Sequence, residues 1–239
     1  MRKKNIIKNY WNDLDNRLES LMKNGVVKLK SIKDFELDTI SKETFKEMKN
    51  LTFLESGLNH KNFLNFIEMD KYLSPKLLNI ARKFFNYKGD LTNKYLISRK
   101  VEPGNIKEKY RLHFDSHIFT IVFPIKIPNS LTGNNCGELI YFKNARSHPN
   151  NEILNIIDKI NFKRFASKKG IEKLSKNFEI NIEKFENYEP LLFFGKTTLH
   201  TNYALSSDCS GYRLTMLTHL FDDTPKYGLG NLLRLLRNR

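Results

Sequence analysis

The sequence predicts a mainly β fold with flanking helices, a cupin-like jelly roll of the double-stranded β-helix kind. Three observations predict it. The apolar period is helical from about residue 5 to residue 90 and turns to strand alternation at Lys94. From there to Phe221, short strand-like runs are divided by turn formers such as Pro103-Gly104, Pro128-Asn129 and Gly195-Lys196. A single stretch of helical spacing, residues 150–187, interrupts those strands. Helices first, then strands with one helical insert, fit two packed sheets with helices laid on one of them.

Residues 5–23 read as one helix, because Trp11, Leu14, Leu18, Leu21 and Met22 recur every three or four positions before Asn24-Gly25 stops the run. Val26 to Ile32 reads as a short strand, with Val27, Leu29 and Ser31 alternating against Lys28 and Lys30. Residues 36–70 are mostly helical in pattern and break near Gly57. Ser74-Pro75 looks like an N-cap with proline at the first helical position, followed by the stripe Leu77, Leu78, Ala81, Phe84 and Phe85 and a stop at Lys88-Gly89. Strands are then expected at Tyr95 to Lys100, 107–113, Ile118 to Ile127 and Gly137 to Phe142. The insert carries Ile153, Ile156, Ile157 and Ile160, then Ile171, Leu174 and Phe178, at helical spacing. Pro190 to Phe194, Leu199 to Leu205 and Tyr212 to Phe221 complete the strands, with residues 206–211 as a hairpin loop.

The 239 residues suit one domain, 1–239: N-terminal helices over about 5–90, a jelly roll over about 94–221 with its insert, and a tail over 225–239. No run of eighteen apolar residues exists to span a bilayer, and the apolar Ile6-Ile7 after the basic start is too short for a secretory signal, so a cytoplasmic protein is expected. Cys136 and Cys209 are the only cysteines and suggest reduced thiols rather than a disulfide framework. Lysine and arginine number 41 against 26 acids, a net charge of +15 that favours anionic partners. The abundance of Lys, Asn, Ile and Phe also fits an AT-rich genome, so the charge is weak guidance. In the tail, Leu229, Leu232, Leu233, Leu235 and Leu236 stand among Arg234, Arg237 and Arg239. Such a basic amphipathic segment suits peripheral contact with an acidic inner membrane face, or docking on the protein itself or a second subunit.

Chemistry concentrates in Tyr110-Arg111-Leu112-His113-Phe114-Asp115-Ser116-His117, in Leu199-His200, and in Tyr212-Arg213-Leu214-Thr215. His113 and Asp115 are two apart, so extended backbone turns both to one side. With His200 they make two imidazoles and one carboxylate, the ligand set that leaves one face of an iron ion open. His200 is expected from the opposite wall of the barrel. Arg213 follows His200 by 13 residues, and Thr215 shares its strand face. At these residues, over roughly 25–221, the chain resembles the Fe(II)/2-oxoglutarate-dependent dioxygenases, and among them the phytanoyl-CoA dioxygenase-like branch. The resemblance implies Fe(II) held by His113, Asp115 and His200 as the catalytic and metal residues. It implies 2-oxoglutarate as co-substrate on two of the remaining positions, with one left for O2. It assigns the far carboxylate of 2-oxoglutarate to Arg213 and Thr215, an R-x-T where the family has R-x-S. An arginine fork suits that task because it makes two parallel hydrogen bonds to a carboxylate.

Other readings remain. His113 as a strand histidine, Asp115 as a turn former and Arg213 as an ion-pair partner is the plainer one. His113-x-x-x-His117 has zinc spacing, but the run is strand-like and no Glu follows His113. His117 reads as a pocket-wall or supporting residue, His219 as interior by parity with Arg213, and His60 and His148 as structural. The family's halogenases lack the carboxylate, so Asp115 points to hydroxylation or a related oxidation. The expected substrate is small or lipid- or sugar-linked. Lys159, Lys163, Arg164, Lys168 and Lys169 on the insert, expected at the site mouth, suit an anionic one or are simply solvated. A nucleic-acid demethylase is disfavoured, since the next arginine after Arg213 is Arg234. A non-catalytic jelly-roll binding protein is the remaining alternative.

Overall fold

Helical spacing from the start of the chain builds a layer that one sheet lies on. The computed structural model describes residues 2–105, 110–130, 135–149 and 152–223; the tail and residues 107–109 of the 107–113 run lie outside them. The helix expected over 5–23 is two helices, α1 (Arg2–Trp11) and α2 (Leu14–Asn24). The break falls at Asn12-Asp13, where Asp13 takes its side chain to Asn16 and Arg17 and leaves helical geometry. The Trp11 indole N–H donates to the Ile67 carbonyl at 2.7 Å and pins this end of α1. Gly25, at φ 76°, ends α2 in the left-handed conformation that glycine adopts without strain.

β1 (Val26–Lys28) follows, shorter than expected because Leu29 and Ile32 bond to loop carbonyls at Pro190 and Tyr188 instead of a strand. α3 (Leu37–Met48), β2 (Phe53–Glu55), α4 (Leu58–Phe66), α5 (Met69–Tyr72) and α6 (Ser74–Phe85) come next. β2 was not readable: it is a short, mostly exposed edge strand and carries no buried alternation. Ser74 is the first residue of α6 rather than its cap, because its hydroxyl donates to Asp70 at 2.8 Å. The helix ends at Asn86 in the left-handed region, before Lys88-Gly89.

The rest is β3 (Lys94–Val101), β4 (His117–Lys126), β5 (Asn129–Ser130), β6 (Leu139–Phe142), α7 (Glu152–Lys163), α8 (Lys168–Leu174), β7 (Asn181–Glu183), β8 (Leu191–Phe194), β9 (Leu199–Asn202), β10 (Cys209–Ser210) and β11 (Arg213–Asp222). The insert's helices therefore end at α8; Asn181 to Glu183, hidden by the helical spacing upstream, pairs with β6. The presumed hairpin loop contains β10, which pairs with β5.

The larger sheet runs β1-β8-β4-β11-β3-β2 and the smaller β7-β6-β9, with every pairing antiparallel. The segment through His113 joins β9 and extends the smaller sheet. This is the expected double-stranded β-helix. Strand parity divides its faces. Phe119, Ile121, Phe123 and Ile125 of β4, with Leu214, Met216 and Leu220 of β11, pack under the helices against Leu14, Leu21, Phe63 and Leu77. Val122, Leu139, Tyr141, Leu191 and Phe193, with Leu217, meet between the sheets. On the back of the smaller sheet, Leu112, Phe114, Ile140, Phe142 and Leu199 pack with Ile171 and Leu174 of α8. At roughly 1.5–3 kcal/mol for each fully buried large apolar side chain, these clusters hold the sheets in register.

Candidate metal centre

Backbone pairing builds the site. His113 and His200 exchange both backbone hydrogen bonds, His113 N–H to His200 O at 3.1 Å and His200 N–H to His113 O at 3.0 Å. Their rings therefore lie on one side, with centroids 4.3 Å apart. The expectation that His200 crosses from the opposite wall is corrected: it is the adjacent strand's partner of His113. Asp115 is placed by its own N–H on the Gly195 carbonyl at 2.9 Å.

Each histidine turns its Nδ1 toward the carbonyl two residues back, His113 to Arg111 O at 2.5 Å and His200 to Thr198 O at 3.1 Å. Donation there places the proton on Nδ1 and leaves the Nε2 lone pair for a metal. Both Nε2 atoms face Asp115, at 3.6 Å from Oδ1 and 3.7 Å from Oδ2. All three ligand atoms lie within 4.8 Å of one another, the only such His/Cys/Asp/Glu group among the described residues. Bonds of about 2.1 Å at right angles need ligand atoms about 3 Å apart, so a small inward movement suffices. The donor set fits a divalent iron ion.

Thr120 and His219 complete the support. The Thr120 hydroxyl donates to Asp115 Oδ2 at 2.5 Å, so it accepts from His219 Nδ1 at 3.0 Å. The chain His219 N–H to Thr120 O–H to carboxylate fixes one Asp115 oxygen and leaves the other for the metal. Tyr95 stacks on His117 and on His219, with centroids 6.0 Å and 5.9 Å apart. A side chain on Gly195 would meet the Asp115 Cβ and Thr120 Oγ1 at 2.9 Å and the His117 carbonyl at 2.7 Å, so the close approach requires glycine. Thr120→Val keeps the shape and removes the hydroxyl. We expect about 10–100-fold weaker Fe(II) binding, the usual cost of losing such a partner; titration of the metal-free variant that matched wild type would refute the role.

Burial lowers the His113 pKa, and His200 beside it lowers it further. Since 48% of the side chain meets solvent, water screens part of that effect. Burial raises the Asp115 pKa, but His200, His219, His113 and the Thr120 hydrogen bond outweigh it and keep the group a carboxylate. Protons thus compete with metal at His113 at lower pH than the ordinary imidazole value suggests.

His60 lies behind the site, fully buried, with Nε2 3.0 Å from Thr218 Oγ1. Burial first, then His219, pulls its pKa down to about 3. Its unfolded value is about 6.5. Between the two, the unfolded chain binds the extra proton, so stability is whole above about pH 6.5 and falls on acidification by up to about 1.4 kcal/mol per pH unit. His60→Gln keeps a partner for Thr218 without a titrating ring. Chemical denaturation of the metal-free protein from pH 7 to 4.5 should show a shallower decline in this variant; an unchanged slope would exclude His60.

Arg213 is 4% exposed at the start of β11, on the strand face that continues through Thr215 and Leu217 to His219. Its guanidinium lies against Gly137, where a Cβ would come within 2.7 Å of Nη1 and where φ is +77°. Thr215 pairs with Arg99 of β3, which alternation places on the same face. The Arg99 guanidinium reaches Asn202 Oδ1 at 3.5 Å, and its charge lowers the His113 pKa slightly. Two guanidiniums therefore serve one interior.

Sequence reasoning missed Thr120, Gly195 and Arg99. A hydroxyl at an inward parity of an otherwise apolar strand was a signal for Thr120, and a glycine ending Leu-Leu-Phe-Phe was one for Gly195. His148, read as structural, lies 3.6 Å from Asp223.

No family model matches this chain, and none of the curated proteins does. Solved structures do. A prolyl-4-hydroxylase from Pseudomonas putida is 12% identical with a TM-score of 0.51, over 87% of this chain and 98% of that one. The epimerase SnoN from nogalamycin biosynthesis, solved with Fe3+, alpha ketoglutarate and nogalamycin RO, is 10% identical with a TM-score of 0.54, over 92% and 88%. The alpha ketoglutarate-dependent carbocyclase SnoK is 10% identical with a TM-score of 0.52, over 92% and 89%. At such identities the likeness establishes the shared fold.

Proposed function

We propose that the protein is an Fe(II)- and 2-oxoglutarate-dependent oxygenase, of the phytanoyl-CoA dioxygenase-like kind, that hydroxylates a small or lipid- or sugar-linked anionic substrate. The observation that carries this reading is the triad, two imidazoles with Nε2 turned to one carboxylate. The likeness in fold to the alpha ketoglutarate-dependent enzymes SnoK and SnoN supports it. When bound, ferrous iron with 2-oxoglutarate and O2 supplies an oxidation of the substrate that releases succinate and CO2.

The chain's own residues divide the remaining work. His113 and His200 turn their Nε2 atoms to the ion, because Nδ1 of each is held on a carbonyl. Asp115 contributes the one negative charge, held by Thr120. Arg213 takes the far carboxylate of the co-substrate, with Thr215 adding a hydroxyl contact. Val122, Leu191, Phe193 and Leu217 wall the interior with apolar surface and keep water from the reaction.

The insert does not serve as the expected mouth cover through its packed side. Phe114, the middle residue of the H-x-D run, points backward onto Phe162 of α7, with ring centroids 5.2 Å apart. Arg146 lies 3.9 Å over the Phe114 ring and pairs with Asp158 of α7 at 3.1 Å. The insert thus braces the segment that carries two ligands. Lys163, Arg164, Lys168 and Lys169 are exposed, as on a solvated helix face. No described helix is long and apolar enough to cross a membrane. The test is iron-dependent succinate release from 2-oxoglutarate by the purified protein; its absence with Fe(II), ascorbate and O2 supplied, and with candidate anionic substrates present, would reject the oxygenase reading.

A further inference from the structure

The two cysteines are 73 residues apart in the chain, yet their Sγ atoms lie 2.9 Å from each other. Both are thiols. An S–S bond measures about 2.05 Å, so less than an ångström separates contact from bond. Their backbone settings bring them together independently. Cys136 bridges Leu205, and Ser206 N–H donates to Asn135 O at 3.0 Å. Cys209 pairs with Ser130, and its Sγ approaches Asn135 O at 3.5 Å.

The pair stands beside Arg213. Residue 137, next to Cys136, is the glycine whose backbone the Arg213 guanidinium covers, and its carbonyl accepts from Asn202 Nδ2 at 3.2 Å. Cys209 lies on the segment that enters β11 at Arg213. Segments 135–137 and 206–211 therefore form the two flanks of that arginine, and the sulfurs meet where the flanks touch.

We propose that Cys136 and Cys209 are a redox-modification site, closing to an intramolecular disulfide that staples the two flanks of the Arg213 pocket. The oxidant is a low-molecular-weight disulfide such as glutathione disulfide. Cys136 is the more exposed of the two. Its thiolate attacks one glutathione sulfur and expels the other glutathione as thiolate. The Cys209 thiolate then attacks the Cys136 sulfur of the mixed disulfide and expels the second glutathione. Two protein thiols are oxidised and one glutathione disulfide is reduced to two thiols, which take up the two protons. Burial, and the neighbouring Cys209 after it, raise the Cys136 pKa. Closure is therefore slow at neutral pH and faster at pH 8–9, as thiolate supply requires.

The full chain is equilibrated in glutathione redox buffers, quenched in acid, alkylated and weighed. Expected is a species two hydrogens lighter that takes up no alkylating group, reverts with dithiothreitol, and melts on the order of 5–10 °C above the reduced form. Cys136→Ser and Cys209→Ser proteins should stop at a glutathione adduct or stay reduced. Hydrogen exchange should slow in peptides covering 135–142 and 206–213 on oxidation and little elsewhere. Two alkylatable thiols in the folded wild type under excess glutathione disulfide would overturn the site. A disulfide without local protection would overturn the staple. Neither readout depends on iron or 2-oxoglutarate, so failure of the oxygenase reading would register separately.

Discussion

A His113→Ala, His200→Ala double variant should purify without stoichiometric iron and release no iron-dependent succinate from 2-oxoglutarate, if the protein is the proposed oxygenase. Partners one shell out are worth about 10–100-fold in metal affinity, and losing two of three ligands costs more than that. The backbone pair between residues 113 and 200 survives the change, because alanine keeps both N–H and C=O groups. His113 is also half exposed, so little core packing is lost. The variant should therefore fold, with a circular dichroism spectrum like that of wild type. Wild type is expected to bind one Fe(II) per chain in anaerobic titration. Equal iron content in the two folded proteins would remove His113 and His200 from the centre, and with them the triad.

How legible this site was depends on which interactions are local. His113 and Asp115 are readable because strand period alone puts them on one side. His200 was identified, but its place was not. Its distance from His113 is set by a pairing across 87 residues (200 − 113), and alternation does not say which strand is whose neighbour. His219 was placed by parity with Arg213, and its contact with Thr120 bears that out. Thr120 and Gly195 left a signal of parity and of a turn, but not of their partner, since each meets Asp115 from a distant part of the chain, Thr120 from β4 and Gly195 from the turn after β8. Among the elements, long buried strands such as β4 and β11 stood out, whereas β2, β7 and β10 span two or three residues and leave too few positions for a period. The break between α1 and α2 was hidden because the apolar stripe continues across it. The cysteine contact was equally hidden: two thiols with no spacing motif say nothing of their separation in space.

On the proposed function, Arg213→Ala should raise the apparent Michaelis constant for 2-oxoglutarate by tens-fold or more while Fe(II) binding survives. The argument starts from burial. A guanidinium 4% exposed and seated on Gly137 has little freedom, so a carboxylate meeting it gains two aligned, charge-assisted bonds at small cost in order. Without it, the carboxylate enters a walled interior lacking its charge partner, at a cost of roughly 2–5 kcal/mol. Arg213→Lys keeps the charge but loses the fork and should recover only part. Thr215→Val removes one neutral hydroxyl and should cost about 0.5–1.5 kcal/mol. Steady-state kinetics at saturating iron, with the metal affinity of each variant measured beside them, separates these effects. Loss of iron or of the fold in Arg213→Ala would make the arginine structural. An unchanged constant in a folded variant would move the co-substrate site along the strand face to Arg99, which pairs with Thr215 and whose charge already reaches His113. Arg111, the other arginine near the ligands, contributes its carbonyl to the His113 ring and has an exposed side chain, so it is the weaker substitute.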